Sequence, residues 1–392
     1  MSLSYRANMD LPEPPEEALA HSRRLQARVR EEIAAAGGRI GFDRYMELVL
    51  YAPALGYYSA GARKIGADGD FVTAPEISPL FSRCVARQAA PVLRALGGGT
   101  ILELGAGSGR MAADILVELE ALALLPGRYL VLEPSGELRE RQQATLDERC
   151  PQLADRLEWL DSLPPEPIEG VILGNEVVDA LPVKRFRHDR GWQELCVSTG
   201  PEGFTWRAEA AGEPLVRALE TSVPALPDGY ESEIDLNLPA WMTGVAGALA
   251  RGMVLLTDYG LPRRAYYHPQ RTRGTLMCHY RHRAHEDPFL YPGLQDITAW
   301  VDFSALADAG IAAGLELAGY TTQAHLLLAG GLEAMAAEVE PADTRAQAEL
   351  SRQIKLLTLP SEMGERFKAM AFTRGDVPLP DGFDLRDLSH TL

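Results

Sequence analysis

Between Thr100 and Gly260 the chain alternates short apolar runs with amphipathic segments. "TILEL" reads as a strand and "RMAADILVELEAL" as an amphipathic helix. "RYLVLEP" is a second strand, closed by an acidic residue and followed by the polar helix "GELRERQQATLDERC". "RLEWLDSL" and "GVILGNE" are a third and a fourth strand, and "GMVLLTDYG", much later, is a fifth. Apolar strands separated by helices predict a parallel sheet covered on both faces, an α/β fold. Ligands of such sheets bind beyond the carboxyl ends of the strands.

The flanks differ in pattern. Residues 1–97 read as mostly helical. "PPEEALAHSRRLQARVREEIAAAG" has apolar positions at helical spacing, with proline before its start and glycine after its end. "SPLFSRCVARQAAPVLRAL" predicts another helix, with Pro91 as a kink or break. Between them "YYSAGARKIGADGDFVTAPEIS", rich in glycine and small residues, reads as a loop beside a ligand. Residues 184–240 interrupt the alternation with "VKRFRHDRGWQELCVST" and "GFTWRAEA", predicted antiparallel strands. A further excursion, 261–300, is rich in Arg, His, Tyr and Pro. "LELAGYTTQ", two helices and "RFKAMAFT" then complete the sheet.

Composition narrows the function classes. The 392 residues are 46% hydrophobic, enough for a sizeable core. No apolar stretch of about 18 residues is present, so no membrane insertion is expected. The N-terminus has no apolar signal core and carries acidic residues where a mitochondrial transit peptide has none, which predicts a cytoplasmic protein. Cys84, Cys150, Cys196 and Cys278 form no C-x-x-C pair and read as reduced thiols. A net charge of −17 repels a phosphate backbone, arguing against nucleic acid, and attracts a cationic partner, although acidity also serves solubility.

The most informative stretch is "ILELGAGSGRMAADIL". Gly105, Gly107 and Gly109 lie between a strand and a helix, where missing β-carbons permit a sharp turn and close approach of a ligand. The spacing is not the dinucleotide G-x-G-x-x-G, since Arg110 occupies the last glycine position, and no P-loop is present. Glu103, just before the turn, is placed to pair with an ammonium group. Glu133 ends the second strand, where it can accept two ribose hydroxyls. Asp161 and Ser162 follow the third strand, positioned to read an adenine edge. Ammonium, ribose and adenine together describe S-adenosylmethionine better than a nicotinamide cofactor. The set resembles class I (Rossmann-like) S-adenosylmethionine-dependent methyltransferases, which implies a seven-stranded, mostly parallel sheet with an antiparallel final pair.

"GNEVVDALPV", at the end of the fourth strand, supplies Asn175, Glu176 and Asp179 at the same rim. If the methyl acceptor is a guanidinium, carboxylates there fix its planar fork and take the released proton. The alternative is a helix cap, most readily for Asp179. Asp258 and Tyr259 end the fifth strand on that rim too. "CHYRHRAH" (Cys278, His279, His282, His285) matches no common zinc spacing, so no metal site is expected.

"GDFVTAPEIS", "LGNEVVDALPVKRF", "LLTDYG", "GTLMCHYRHRAHEDPFLYPGLQDITAWVDFSAL", "GYTTQA" and "LPSEMGERFKAM" occur in this order, and from about residue 15 to 375 the chain resembles the MidA family of methyltransferases. That family includes the mitochondrial protein-arginine methyltransferase needed for respiratory complex I assembly. The resemblance implies methyl transfer to an arginine side chain of a protein, such as a respiratory-complex subunit. It raises Glu76 of "TAPEIS" to a cofactor-side candidate and makes Asp296 and Asp302 candidate substrate contacts, where the residues alone read equally as helix caps. The expected organisation is then a helical region with a cofactor-side loop (1–97), a cofactor-binding core (98–265) with its insertion (184–240), and a substrate-side excursion that completes the sheet (266–392). A homodimer is compatible with this. Two other readings stay open: a cofactor-binding assembly factor with little catalysis, and a methyltransferase acting on another protein or a small molecule. Transfer to tRNA is disfavoured by the charge and by the missing N/D-P-P-Y at the fourth strand.

Overall fold

A computed structural model describes residues 11–59, 72–201, 203–338 and 343–392. Its central sheet is built from β1 (Thr100–Leu104), β2 (Arg128–Leu132), β3 (Leu157–Leu160), β4 (Ile168–Asn175), β5 (Leu249–Leu261), β6 (Glu316–Thr322) and β7 (Phe367–Arg374). The spatial order is β6-β7-β5-β4-β1-β2-β3. β1 to β5 pair in parallel, and β7 runs antiparallel to both β5 and β6. The two-residue strand Val301–Asp302 adds to the end of β5. This is the class I methyltransferase order, with the strand reversal between β1 and β4 opening a crevice at their carboxyl ends.

Both faces of the sheet are buried, as the continuous apolar runs demand. On one face the helices Pro79–Ala95 and Arg110–Ala121 pack Phe81, Val85, Ile115 and Leu119 against Ile101, Val171 and Leu255. On the other, Met242, Val245, Leu306 and Phe303 cover Leu102, Ile172, Val254 and Phe372. Pro91 does not break its helix; the 17-residue helix Pro79–Ala95 is continuous through it. Among the described residues four helical segments, not two, stand between β6 and β7: Gln323–Ala329, Leu332–Ala336, Thr344–Thr358 and Met363–Arg366.

The inserted strands form a separate antiparallel sheet. Lys184–His188 pairs with Trp192–Gly200 and with Tyr230–Ile234, and Gly203–Ala210 extends the layer. Arg39–Ile40, from the N-terminal region, joins its edge. The helices Glu16–Ala35 and Phe42–Tyr51 bury Leu25, Val29, Tyr45 and Val49 in a core shared with Val197, Cys278 and Ile297. The helical N-terminus is thus a lid support that ties the insertion to the rim of the main sheet.

The Arg- and His-rich segment is folded, not a bare solvated loop. Arg263 pairs with Asp302 and Asp308, Arg273 with Glu286, and the Arg271 guanidinium lies over Trp300. Met277–Tyr280 and Arg283–His285 form a hairpin that continues onto Asp296–Thr298. All four cysteines are buried free thiols.

Candidate active site

A cavity of about 590 Å³ opens beyond the carboxyl ends of β1, β2 and β4. Its walls come from five stretches: the glycine turn after β1, the turn after β2, residues 175–180 after β4, the Tyr51–Ser59 segment, and Thr73–Glu76. The described ends of the glycine-rich loop, Tyr58, Ser59, Thr73 and Glu76, therefore do face the site; its middle, 60–71, lies outside the described residues.

The first half is a cradle for a flat polar ligand. Gly105, Gly107 and Gly109 all have left-handed φ values, +66°, +55° and +82°. At Gly109 a β-carbon would lie 2.9 Å from the Gln142 backbone, so close helix packing adds to the conformational demand. Gln142 was not foreseen from the sequence. Fully buried, it donates to the Gly107 carbonyl (3.1 Å) and to Glu133 (3.3 Å), and accepts from the Trp159 indole (2.7 Å). One amide thus fixes the glycine turn, the acid after β2 and the end of β3 together. Its signal in sequence was only a polar residue on the inward face of a polar helix.

Glu103 is 1% exposed, lines the cavity, and accepts the Tyr129 hydroxyl at 2.6 Å. Burial raises its pKa to about 7, against the lowering effect of that hydroxyl. A carboxylate so poorly solvated is completed by a cationic group. Glu133 presents a buried carboxylate to the same space, partly held by the Ser135 N–H at 3.0 Å. Glu76 is at the wall, where it accepts the Ser108 hydroxyl and approaches Arg110 (3.3 Å), joining the loop to the glycine turn. Asp161 and Ser162 do follow β3, but neither lines the cavity. Asp161 is 85% exposed at its side chain and pairs with Arg139, so the charge that was to read an adenine is turned to a neighbouring guanidinium.

The second half is built by residues 175–180. Glu176 sits at φ +52°, outside the usual range for a glutamate, and points a half-buried carboxylate to the cavity. The Asn175 amide donates to it at 3.1 Å, and the Ala74 N–H does so from the opposite wall. Burial, then the charge of Asp179, raises the Glu176 pKa to about 8.

Asp258 is responsible for the shape of this bend. Wholly buried, it accepts the N–H groups of Val178 (2.9 Å), Asp179 (3.1 Å) and Tyr259 (2.9 Å). It does not reach the cavity, and the expectation of a substrate contact there is corrected: both its oxygens are spent on backbone. Asp179, too, is buried behind the wall, its carboxylate bonded to Tyr259 and its carbonyl to the Ala299 N–H. Burial raises the pKa of both acids, helped at Asp179 by the charge of Asp258 and at Asp258 by that of Glu176. The cap alternative for Asp179 fails as well, since the chain turns through a bend after β4 and enters the strand Lys184–His188 with no helix between.

Asp302 is the N-cap of the helix Phe303–Ala312 and lines a separate cavity of about 430 Å³, so it is not a contact in the first one. Asp296 is buried one layer back and touches the site through the Tyr58 hydroxyl, at 2.8 Å. The N-terminal tyrosines Tyr51 and Tyr58, absent from the sequence-based candidates, line the cavity directly. Among the described residues no group of three or more His, Cys, Asp and Glu is arranged to hold a metal ion.

Residues 84–321 match the family described as "Putative S-adenosyl-L-methionine-dependent methyltransferase". The chain belongs to this family. Its structure superposes on that of a Burkholderia thailandensis protein bound to S-adenosyl-homocysteine with a TM-score of 0.94, at 48% identity, covering 97% of this chain and 100% of that one. Among curated relatives, "Protein arginine methyltransferase NDUFAF7, mitochondrial" of Danio rerio is 28% identical, over 85% of this chain and 83% of its own. The Drosophila melanogaster homolog is 27% identical over 93% and 88%. The cofactor of the family is S-adenosylmethionine, and the cradle fits it: three left-handed glycines, and two buried carboxylates at Glu103 and Glu133. The resemblance to MidA proteins and the class I fold both stand.

Proposed function

We propose that this methyltransferase modifies an arginine side chain of a protein. The observation that carries the reading is the carboxylate of Glu176, held by Asn175 and Ala74 on the wall of the cavity that also contains the glycine cradle. The names of the curated relatives support the same substrate class.

Bound S-adenosylmethionine supplies an activated methyl group on a sulfonium. Glu103 would hold the cofactor's ammonium and Glu133 its ribose, and the glycine turn would let its backbone approach the cofactor. Glu176 receives the acceptor guanidinium, aligns one nitrogen with the cavity, and takes the proton that nitrogen releases. In the empty site burial and the charge of Asp179 raise the Glu176 pKa to about 8, and an arriving guanidinium favours its charged form, ready to take a proton. Asn175 keeps the carboxylate aimed, and its own oxygen is locked by the Thr257 hydroxyl at 2.8 Å. Asp258 acts through the backbone as a positioning residue.

The test is transfer of labelled methyl groups from S-adenosylmethionine into whole-cell extract, followed by mass spectrometry of the labelled protein. Methylarginine in a protein is the expected product. Label on another residue type, or none from a protein that binds cofactor tightly, would overturn the reading.

A further inference from the structure

We infer that Tyr51 and Tyr58 form an aromatic wall that recognises the acceptor as a planar, delocalised cation. The inference rests on the arginine reading above and extends it to the residues that choose the substrate group.

Both residues line the cavity together with Asn175, Glu176 and Ala180. They stack on one another, with centroids 5.4 Å apart and planes 26° from parallel. The local sequence builds this pair. The helix Phe42–Tyr51 ends at Tyr51, and the chain doubles back so that Tyr57 and Tyr58 donate to the carbonyls of Val49 and Leu50, each at 2.8 Å. Gly56 makes the reversal possible, because a β-carbon there would lie 2.6–2.7 Å from the backbone of Ala52 and Leu50. Tyr57, fully buried, backs Tyr58 edge-on at 5.1 Å.

Each hydroxyl is already hydrogen-bonded within the fold. Tyr51 donates to the carbonyl of Ala180, in the bend that carries Glu176, at 2.8 Å. Tyr58 donates to the buried Asp296 carboxylate at 2.8 Å. With their polar ends engaged, the rings offer π-surface to the cavity, and the phenol of Tyr58 is made more electron-rich by its carboxylate acceptor. Tyr51 is 39% exposed, so this wall begins at the mouth. A cationic side chain in this cavity is offered aromatic surface as well as the Glu176 carboxylate. Aromatic faces attract cations, and a guanidinium can stack while its edge still offers N–H groups to a carboxylate. Asp296, expected from the sequence to touch the substrate, thereby acts one residue removed, through Tyr58.

The experiment uses the full chain saturated with S-adenosylhomocysteine and titrates N-acetyl-arginine amide by calorimetry, with N-acetyl-citrulline amide as the neutral isostere. The arginine amide should bind, and the citrulline amide should bind about tenfold more weakly or less. Tyr58→Ala and Tyr51→Leu should each weaken arginine binding about fivefold or more, and Tyr51→Phe less than about twofold. Affinity for S-adenosylhomocysteine in each variant reports an intact fold, and Tyr51→Leu, at the more exposed position, carries the test if Tyr58→Ala loses it. Unchanged arginine binding in a folded Tyr51→Leu variant overturns the inference, as does equal binding of citrulline or no arginine binding at millimolar concentration. The two readings fail separately: methylarginine in labelled extract with indifferent tyrosine variants removes only the aromatic wall, whereas label on another residue type removes the arginine assignment beneath it.

Discussion

Glu176 donates its backbone N–H to the Thr257 carbonyl at 2.8 Å, and that bond fixes the residue in a left-handed conformation. One position earlier the Thr257 hydroxyl binds Asn175, so β5 grips the bend at two successive residues. A non-glycine residue held there costs about 1–2 kcal/mol. Glycine would relieve that strain but would lose the carboxylate. Glu176→Gly should therefore match or exceed the wild type in a urea melt, by up to about 1 kcal/mol, while methyl transfer falls about a hundredfold or more. Glu176→Gln should lose activity similarly. A glycine variant that is clearly destabilised would show that the bend is unstrained.

The buried Glu103 makes cofactor binding depend on pH. Its pKa is raised from the usual carboxylate value of about 4.5 to about 7 in the folded protein, so the native state holds a proton that the unfolded chain has lost between those values. The stability this group contributes to the cofactor-free protein is fully present below about pH 4.5 and is lost as the pH rises through about 7. A cofactor ammonium needs the charged form. S-adenosylhomocysteine affinity should thus rise about tenfold per pH unit below 7 and level off above it, with proton release in calorimetry across buffers of different ionisation enthalpy. Glu103→Gln should flatten the profile; a profile that persists in that variant would assign the proton elsewhere.

Asp258 tests the division between positioning and contact. Replacing it by alanine leaves three buried N–H groups without their acceptor, at a cost of several kcal/mol by the usual penalty of about 1–3 kcal/mol each. Asp258→Asn, which keeps one acceptor oxygen, should be milder. If the residue acts only on the bend, the folded Asn variant should lose turnover more than substrate affinity and keep its affinity for S-adenosylhomocysteine. A selective rise in KM would instead indicate a direct substrate contact.

At Gly109 two demands coincide, a φ of +82° and a Gln142 backbone 2.9 Å from any added β-carbon. Gly109→Ala should destabilise by about 2–3 kcal/mol and weaken S-adenosylhomocysteine binding, because the Gln142 amide that holds Gly107 and Glu133 must move. Gly247→Ala, at the end of the helix Leu238–Gly247 with open space around it and away from the cavity, is the control and should be near neutral or slightly stabilising. Differential scanning fluorimetry with and without ligand compares them.

Much of this protein was determined by its sequence alone. Strict apolar runs could only be buried strands, so "TILEL" and "GVILG" dictated a two-faced sheet, and three glycines between strand and helix dictated the left-handed cradle. The order of long motifs then carried the family. What the one-dimensional pattern lacked was direction. Asp161, Asp258 and Asp302 all stand at strand ends or helix starts, as a ligand-binding acid would, yet the structure commits them to Arg139, to backbone N–H groups and to a helix cap. Conversely Tyr51 lines the site and Gln142 braces it from helices with no mark of function, while Tyr58 comes from the glycine-rich loop read as standing beside a ligand. Residues far apart in the chain meet there, Tyr51 with Ala180 and Tyr58 with Asp296, at separations of 129 and 238. Local chemistry specifies which residues can hold a charge or make a turn. Only the packing of distant elements decides whether that charge faces a ligand or another part of the chain.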